Sequence, residues 1–401
     1  MSYIGDGFQI PSLPPFLKGS EGGLRILIIR LSAVGDVIRT LPAVKAIKTY
    51  YPSSSVTWVV EEPSRALLES QPEIDEVILF PRKKWGDGIK SVRAGWRTIT
   101  EIRRFVVELR RKEFDLVLDF HGILKSGLLS FFSGSSRRIG FDRRSSKEGN
   151  FLFSNVKVKL PEERMSRFQK NFALLKGMGL EVKSFIPRLH IPVEDREYVN
   201  SSLPPSFASS RRPLIAIHPG TSQKTLYKRW MPIQYAQLAD RLVCELKATV
   251  IFTWGPDELQ AVEDIRKQMR ESSILGPRTE SLIQLGEVYA RCDLYIGGDT
   301  GPMHIASLMG IPAVVIYGPT DPIVNEPFGK HSKVRKEVGC NPCRNRSCKD
   351  LTCLKMITVG DVLGAAKEIL SISDAQALTY HTTPSSLPGE GDKGVGRGRA
   401  S

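Results

Sequence analysis

No run of apolar residues in this 401-residue chain reaches the ~18–20 positions that a membrane-spanning helix needs. The opening residues, MSYIGDGFQIPSLPPFLKGSEGG, lack a basic start followed by an apolar core, so no signal peptide is expected. Together these absences predict a cytoplasmic protein. Cysteine is scarce, and six in a chain this long exclude a secreted disulfide framework. No repeat of fixed period occurs, which argues against a solenoid. GxGxxG is missing after the first apolar run, which weakens a nicotinamide-cofactor reading. Acidic residues number only 43 against 57 Lys plus Arg. The resulting charge of +14 favours anionic partners: phosphorylated substrates, an acidic membrane surface or nucleic acid. No recognised nucleic-acid-binding module accompanies that charge, so no nucleic-acid partner is expected.

What is present is enough for real cores: 41% hydrophobic and 25% charged residues over a length that suits two domains. Residues 1–23 and 375–401, rich in Gly and Pro or in Gly, Ser, Thr and Pro, read as disordered tails, the second carrying Arg397 and Arg399. From residue 24 to 200, short apolar runs alternate with helical stretches. Leu24–Leu31, Val56–Glu61, Glu76–Phe80, Asp115–Phe120 and Arg137–Phe141 read as strands, with helices at Asp36–Tyr50, around Arg93–Lys112 and at Gly122–Phe132. A Pro/Ser-rich linker follows at 201–213, and the pattern restarts over 214–358. Strands are predicted at Leu214–Gly220, Thr249–Gly255, Asp293–Asp299 and Ala313–Gly318, with helices between them. A last helix spans 359–374. The expected class is α/β: two Rossmann-like, doubly wound domains facing a cleft, where ligands of open α/β sheets bind.

The chemistry-bearing motifs sit at predicted strand ends. LSAVGD (Leu31–Asp36) puts a carboxylate at the end of the first strand, where Asp36 reads as a helix N-cap or as a general base facing the cleft. HPGTSQKTLYKRWMP (His218–Pro232) is a Gly/Thr/Ser loop with Lys228 and Arg229 before a helix, a setting that favours anions. GGDTGPMHIASLMGIP (Gly297–Pro312) offers glycines for close approach, Asp299 and Thr300 as caps, and a helix N-terminus for a phosphate, with His304 one turn in. TWGPDE (Thr253–Glu258) ends in an acid that suits a ribose diol or a first-turn helix position. Between Arg82 and Lys112, eleven basic residues interleaved with Trp85 and Trp96 face three acids, a pattern that suits a phosphorylated headgroup or a membrane surface. Cys340, Cys343, Cys348 and Cys353 are spaced C-x2-C-x4-C-x4-C, a candidate structural zinc or iron–sulfur site, with free or paired structural cysteines as the alternative.

ILIIRLSAVGDVIRTLPAVKAIK, LDFHGILKSGLL, IHPGTSQKTLYKRW and GGDTGPMHIASLMGIPAVVIYGPTDP, in this order, resemble the glycosyltransferase family that includes the lipopolysaccharide heptosyltransferases. The resemblance runs from about Leu24 to Leu370. VVEEPSRALL, FPRKKW and KEGNFLFSNVKV look most like its heptosyltransferase I branch, which adds the first heptose to the Kdo inner core. It implies a GT-B fold and inverting transfer of a heptose from ADP-L-glycero-β-D-manno-heptose to a Kdo-lipid A acceptor; the basic block adds the expectation of a monomer acting at the inner face of the inner membrane. The resemblance assigns Asp36 as catalytic base. It places Thr221, Lys228, Glu258, Asp299, Thr300, Gly301 and His304 on the donor, and Ser32, Arg82, Lys83, Lys84 and Lys125 on the acceptor. No cofactor is then required, in keeping with the lack of a DxD pair in the donor loops. His121 departs from the glutamine of the family's QGLxKS pattern, and the cysteines look more like heptosyltransferase II members. Another family transferase acting on a different core sugar, or a noncatalytic nucleotide-sugar-binding protein, are the alternatives.

Overall fold

The computed structural model describes residues 23–90, 95–180, 182, 188–208, 212–343 and 345–381. Most of the two predicted tails, Arg397 and Arg399 among them, Arg93 of the basic stretch and residues 209–211 of the linker lie outside the described residues.

Two six-stranded, all-parallel sheets are built from β1 (Arg25–Ile29), β2 (Ser55–Val60), β3 (Glu76–Leu79), β4 (Leu116–Asp119), β5 (Arg138–Phe141) and β6 (Val156–Val158), and then from β7 (Leu214–His218), β8 (Thr249–Phe252), β9 (Ile274–Leu275), β10 (Leu294–Gly298), β11 (Ala313–Tyr317) and β12 (His331–Arg335). Their orders are β3-β2-β1-β4-β5-β6 and β12-β11-β10-β7-β8-β9, the same doubly wound arrangement twice. Strand order reverses between β1 and β4 in the first sheet and between β7 and β10 in the second. Crevices therefore open at the loops that follow those four strands.

The apolar runs are continuous because both faces of each sheet are covered. In β1, Ile26 and Ile28 face one core cluster while Leu27 and Ile29 face another. In β7, Ile215 and Ile217 face the cluster beneath the last helix, whereas Leu214 and Ala216 join the cluster that contains Ile26. That cluster is continuous through both domains, so the cleft has a packed floor.

Several boundaries differ from the sequence reading. The first helix spans Val34–Tyr50, so Asp36 lies in its first turn and Ala33, not Asp36, is the N-cap residue. The basic stretch forms two helices, Arg82–Lys90 and Gly95–Arg111. A helix at Val193–Ser202, assigned by sequence to the first domain, bonds to the second: Gln284 Nε2 donates to Asp195 Oδ1 at 2.9 Å, and the Tyr198 hydroxyl donates to the Arg278 carbonyl. The last helix runs Val359–His381, past the predicted end at 374, and Val362, Leu363, Ala366 and Ile369 bury it against the second domain. Strands β6, β9 and β12 and the helix Arg167–Leu175 were not foreseen.

Candidate active site

β1 ends in a loop that delivers Asp36 to the cleft. Three arginines surround its carboxylate: Arg30 Nη2 at 2.5 Å, Arg39 Nη1 at 3.0 Å and Arg167 Nη1 at 2.6 Å. Burial alone would raise its pKa, but the pull of Arg30, Arg167 and Arg39 outweighs burial and holds the carboxyl at about 2. Asp36 is therefore an anion within a cationic collar, not a helix cap.

β4 supplies the neighbouring wall. Asp119, at its end, is fully buried and accepts from the backbone N–H of His121 and Gly122, the Ser126 hydroxyl and the Asn150 amide. It fixes the FHG loop, and burial pushes its pKa up. His121 Nδ1 accepts from the Leu31 N–H at 3.1 Å, which makes the ring neutral and ties this loop to the one carrying Asp36.

The second domain presents the other side. Lys228 Nζ lies 3.2 Å from Asp299 Oδ2. Thr300 is the N-cap residue of the helix Gly301–Leu308, yet its side chain makes no capping bond, so the first-turn N–H groups remain open. A lysine and an open helix N-terminus converge there, the chemistry of a diphosphate site. Glu258 is placed differently from a free ribose ligand. Its carboxylate accepts from the Gly255 N–H at 2.8 Å and lies 3.4 Å from His218 Nε2 and 3.6 Å from Arg229 Nη2. A Cβ on Gly220 would come within 2.0 Å of it, so Gly220 is needed for Glu258 to brace the two donor-side loops from behind. Gly297 has a comparable role: a Cβ there would meet the Tyr295 hydroxyl at 2.4 Å and the His218 carbonyl at 2.8 Å. What approaches this glycine is the protein's own core.

A cavity of about 980 Å3 joins these parts. Asp36 lines it from the first domain, and Thr221, Lys228, Glu258, Asp299, Thr300, Gly301 and His304 line it from the second. Every donor-side residue expected from the sequence is thus brought to one cavity together with the expected base. Arg39 bridges the two halves: it holds Asp36, its Nε donates to His304 Nε2 at 2.8 Å, and its Nη2 lies 3.9 Å from Asp299 Oδ1. His304 is fully buried, accepts at Nε2, and is held well below its usual pKa by burial and by Arg39. It is a neutral anchor for Arg39.

The expected acceptor residues do not join that group. Ser32, Arg82, Lys83, Lys84 and Lys125 line neither this cavity nor the one beside it. Arg82 pairs with Glu61 and Lys84 with Glu101, and both lysine and partner lie near the surface. Arg82 and Lys125 are close enough to His121 to help lower its pKa. Sequence reasoning missed Arg30, Arg39, Arg167 and Lys170. Only Arg30 and Arg39 flank a motif, and nothing in their spacing marks them as partners of one carboxylate. The four cysteines are free thiols, Cys340 exposed and Cys353 buried. Burial raises the Cys353 pKa, with a further push from Cys340, Cys343 and Cys348. Among the described residues no three His, Cys, Asp or Glu side chains are grouped as metal ligands.

Burial of neutral histidines has a consequence for pH. His121 and His218 are lowered by burial to about 4. Unfolded, each takes up a proton below about 6.5; folded, only below about 4. Their contribution to stability is therefore complete above pH 6.5 and is lost as pH falls towards 4. Each should cost about 2 kcal/mol at pH 5 relative to pH 7. A Tm that drops between pH 7 and pH 5, with a smaller drop in His218→Gln, is the expected result of a calorimetric series.

Two parallel, doubly wound domains face a cleft with the Asp36 carboxylate on one side and Lys228 beside an uncapped helix N-terminus on the other, the architecture of a GT-B-type glycosyltransferase. A family model described as glycosyltransferase family 9 (heptosyltransferase) matches residues 102–353, and the chain belongs to that family. The lipopolysaccharide core heptosyltransferase OpsX of Haemophilus influenzae is 28% identical over 319 residues, covering 79% of this chain and 85% of the relative. Lipopolysaccharide heptosyltransferase 1 of Pseudomonas aeruginosa is 27% identical (81% and 87% covered), and lipopolysaccharide heptosyltransferase 2 of Escherichia coli is 27% identical (78% and 87%). The solved Escherichia coli heptosyltransferase WaaC with ADP shares the fold, with a TM-score of 0.66 at 22% identity over 86% of this chain and all of that one.

Proposed function

We propose that this enzyme transfers a heptose from ADP-L-glycero-β-D-manno-heptose to the Kdo inner core of lipopolysaccharide, with inversion at the anomeric carbon. The observation that carries the reading is the single cavity that sets Asp36 opposite Lys228 and the open N-terminus of helix Gly301–Leu308. Asp36 takes the proton of the acceptor hydroxyl as that oxygen bonds to the anomeric carbon. The bond from that carbon to the diphosphate oxygen breaks, and ADP leaves with the electron pair. Lys228 and the first-turn N–H groups receive the charge that grows on the phosphate, so the protein itself supplies the stabilisation. The name of the relative from Escherichia coli supports a second reading, addition of the second heptose, at the same identity as heptosyltransferase 1. Assaying ADP-heptose consumption on Kdo-lipid A and on the same acceptor already carrying one heptose separates the two. Turnover on the first alone is expected; turnover on the second alone moves the enzyme one step along the core, and turnover on neither refutes the reading.

The same proposal places the enzyme on an anionic membrane surface. Helix Gly95–Arg111 exposes Trp96 (79%), Ile99 and Val107 alongside Arg97, Arg103 and Arg104, and the helix Leu124–Phe132 beside it exposes Phe131 and Phe132. Apolar side chains ringed by arginine suit the interface of an acidic bilayer, where each cation is worth about 1 kcal/mol. Among the described residues no helix is long and apolar enough to cross a membrane. Reversing Arg103 and Arg104 to Glu should weaken binding to phosphatidylglycerol vesicles at least tenfold and leave neutral vesicles unaffected. Equal binding by the reversed protein removes this surface from the account.

A further inference from the structure

A second cavity, of about 800 Å3, adjoins Asp36 on the first-domain side and shares Asp36, Arg39 and Arg167 with the donor cavity. Its wall is cationic: Arg30, Arg144, Lys147, Arg167 and Lys170 line it. Asp36 pairs with Arg30 and Arg167, but the other acids among its lining residues leave Arg144, Lys147 and Lys170 without a carboxylate partner among the described residues. Asp142 accepts from the Ser145 N–H at 2.9 Å, and Glu162 and Glu163 are exposed. Lys170 donates to the Ser145 carbonyl at 2.9 Å and lies 4.3 Å from the centre of the Phe141 ring; among the described residues it has no carboxylate partner. Burial, then Arg30, Arg167 and Lys147, lower it to about 8, against an opposing pull from Asp36. The Nε atoms of Arg30 and Arg167 are buried without a hydrogen-bond partner. Unpaired donors and crowded cations around one cavity describe a site built for an anion.

The three arginines on Asp36 are not equally held. Arg39 is pinned by His304, and Arg30 donates to the Phe120 carbonyl at 2.7 Å; their side chains are 9% and 11% exposed. Arg167 is 41% exposed, and among the described residues its side chain bonds Asp36 alone. A carboxylate gripped by three guanidinium groups is a poor proton acceptor, because a general base works best when its affinity for the proton approaches that of its surroundings.

We propose that Arg167 is a movable clamp on Asp36: an acidic group of the acceptor, held by Arg167, Lys170 and Lys147, draws Arg167 away and frees Asp36 to act as base. The enzyme is then armed by the acceptor whose hydroxyl it must deprotonate. This rests on the proposed function in one respect, that the acceptor is a sugar acid.

Two measurements test it. In the first, wild type and Arg167→Gln are assayed on a Kdo-terminated acceptor and on its carboxyl-reduced alcohol. Wild type should lose at least tenfold in kcat on the alcohol, because Arg167 stays on Asp36. Arg167→Gln should lose at least tenfold in kcat/KM on the acid yet exceed wild type in kcat on the alcohol. A purely structural role would lower kcat on both acceptors, and that result overturns the clamp. The second needs no turnover. Free Kdo, inorganic phosphate and ADP are titrated calorimetrically into the ligand-free enzyme at pH 8, in buffers of different ionisation enthalpy. An anion beside Lys170 raises its pKa, so Kdo and phosphate should drive uptake of about half a proton. That uptake should fade at pH 6 and vanish in Lys170→Met and Arg167→Gln. Uptake with ADP alone would make the donor's diphosphate the trigger and overturn the acceptor assignment. No uptake with any of the three overturns the clamp itself. Uptake with Kdo but no heptosyl transfer would leave the clamp standing and sink the functional reading instead.

Discussion

Asp36→Asn should lower kcat by about 10²–10⁴-fold, the range that a positioned general base contributes, while the KM for the donor changes little. The amide keeps the shape of the carboxylate but can neither accept the proton nor balance Arg30, Arg39 and Arg167. A stability cost must therefore accompany the catalytic one. The wild-type carboxyl is depressed from 3.8 to about 2, so its contribution is complete above pH 4 and is lost as pH falls towards 2. The difference is worth about 2 kcal/mol at neutral pH, should be about halved at pH 3 and should close near pH 2. Melting curves at pH 7 and pH 3 separate this effect from catalysis. A variant that retains near-normal kcat while folded removes Asp36 from the mechanism.

Lys228→Met should cost about 10²–10³-fold in kcat/KM, as expected for a charge aimed at the leaving phosphate. Part of the loss should appear in kcat, because the phosphate charge grows during bond breaking and is stabilised most in the transition state. Among the described residues the substitution also leaves Asp299, 5% exposed, with only Arg39 at 3.9 Å as a cationic neighbour. The Asp299→Asn/Lys228→Met double variant should then be more stable than Lys228→Met alone but no faster. A pure KM effect, with kcat intact, would assign Lys228 to ground-state binding.

The fold was legible because buried parallel strands advertise themselves as apolar runs. β1, β4, β7 and β10 are of this kind, and the loops after them carry the motifs. The strands that sequence missed are edge or near-edge strands with weaker patterns: β6 reads VKV, β9 is two residues long, and β12 reads HSKVR. The second-domain residues of the site were legible for the same reason as the central strands, since each lies within about ten positions after a strand end. The collar of Asp36 was not, because Arg167 comes from a helix 131 positions away and only tertiary packing brings it to that carboxylate. Glu258 shows the limit in another way. Its position beside the donor loops was expected, but its bonds to the Gly255 N–H and its approach to Gly220 make it a brace within the protein. The charged patch at Arg82–Lys84 drew attention by composition alone, and the structure puts it outside both cavities.

One base and a protein-borne anion site should suffice for inverting heptosyl transfer. The most direct measurement is turnover of ADP-L-glycero-β-D-manno-heptose onto a Kdo acceptor in excess EDTA, with the anomeric configuration of the product read by NMR. Undiminished turnover and an α-linked heptose are predicted. Loss of activity on chelation, restored by a divalent cation, or a β-linked product, would contradict it.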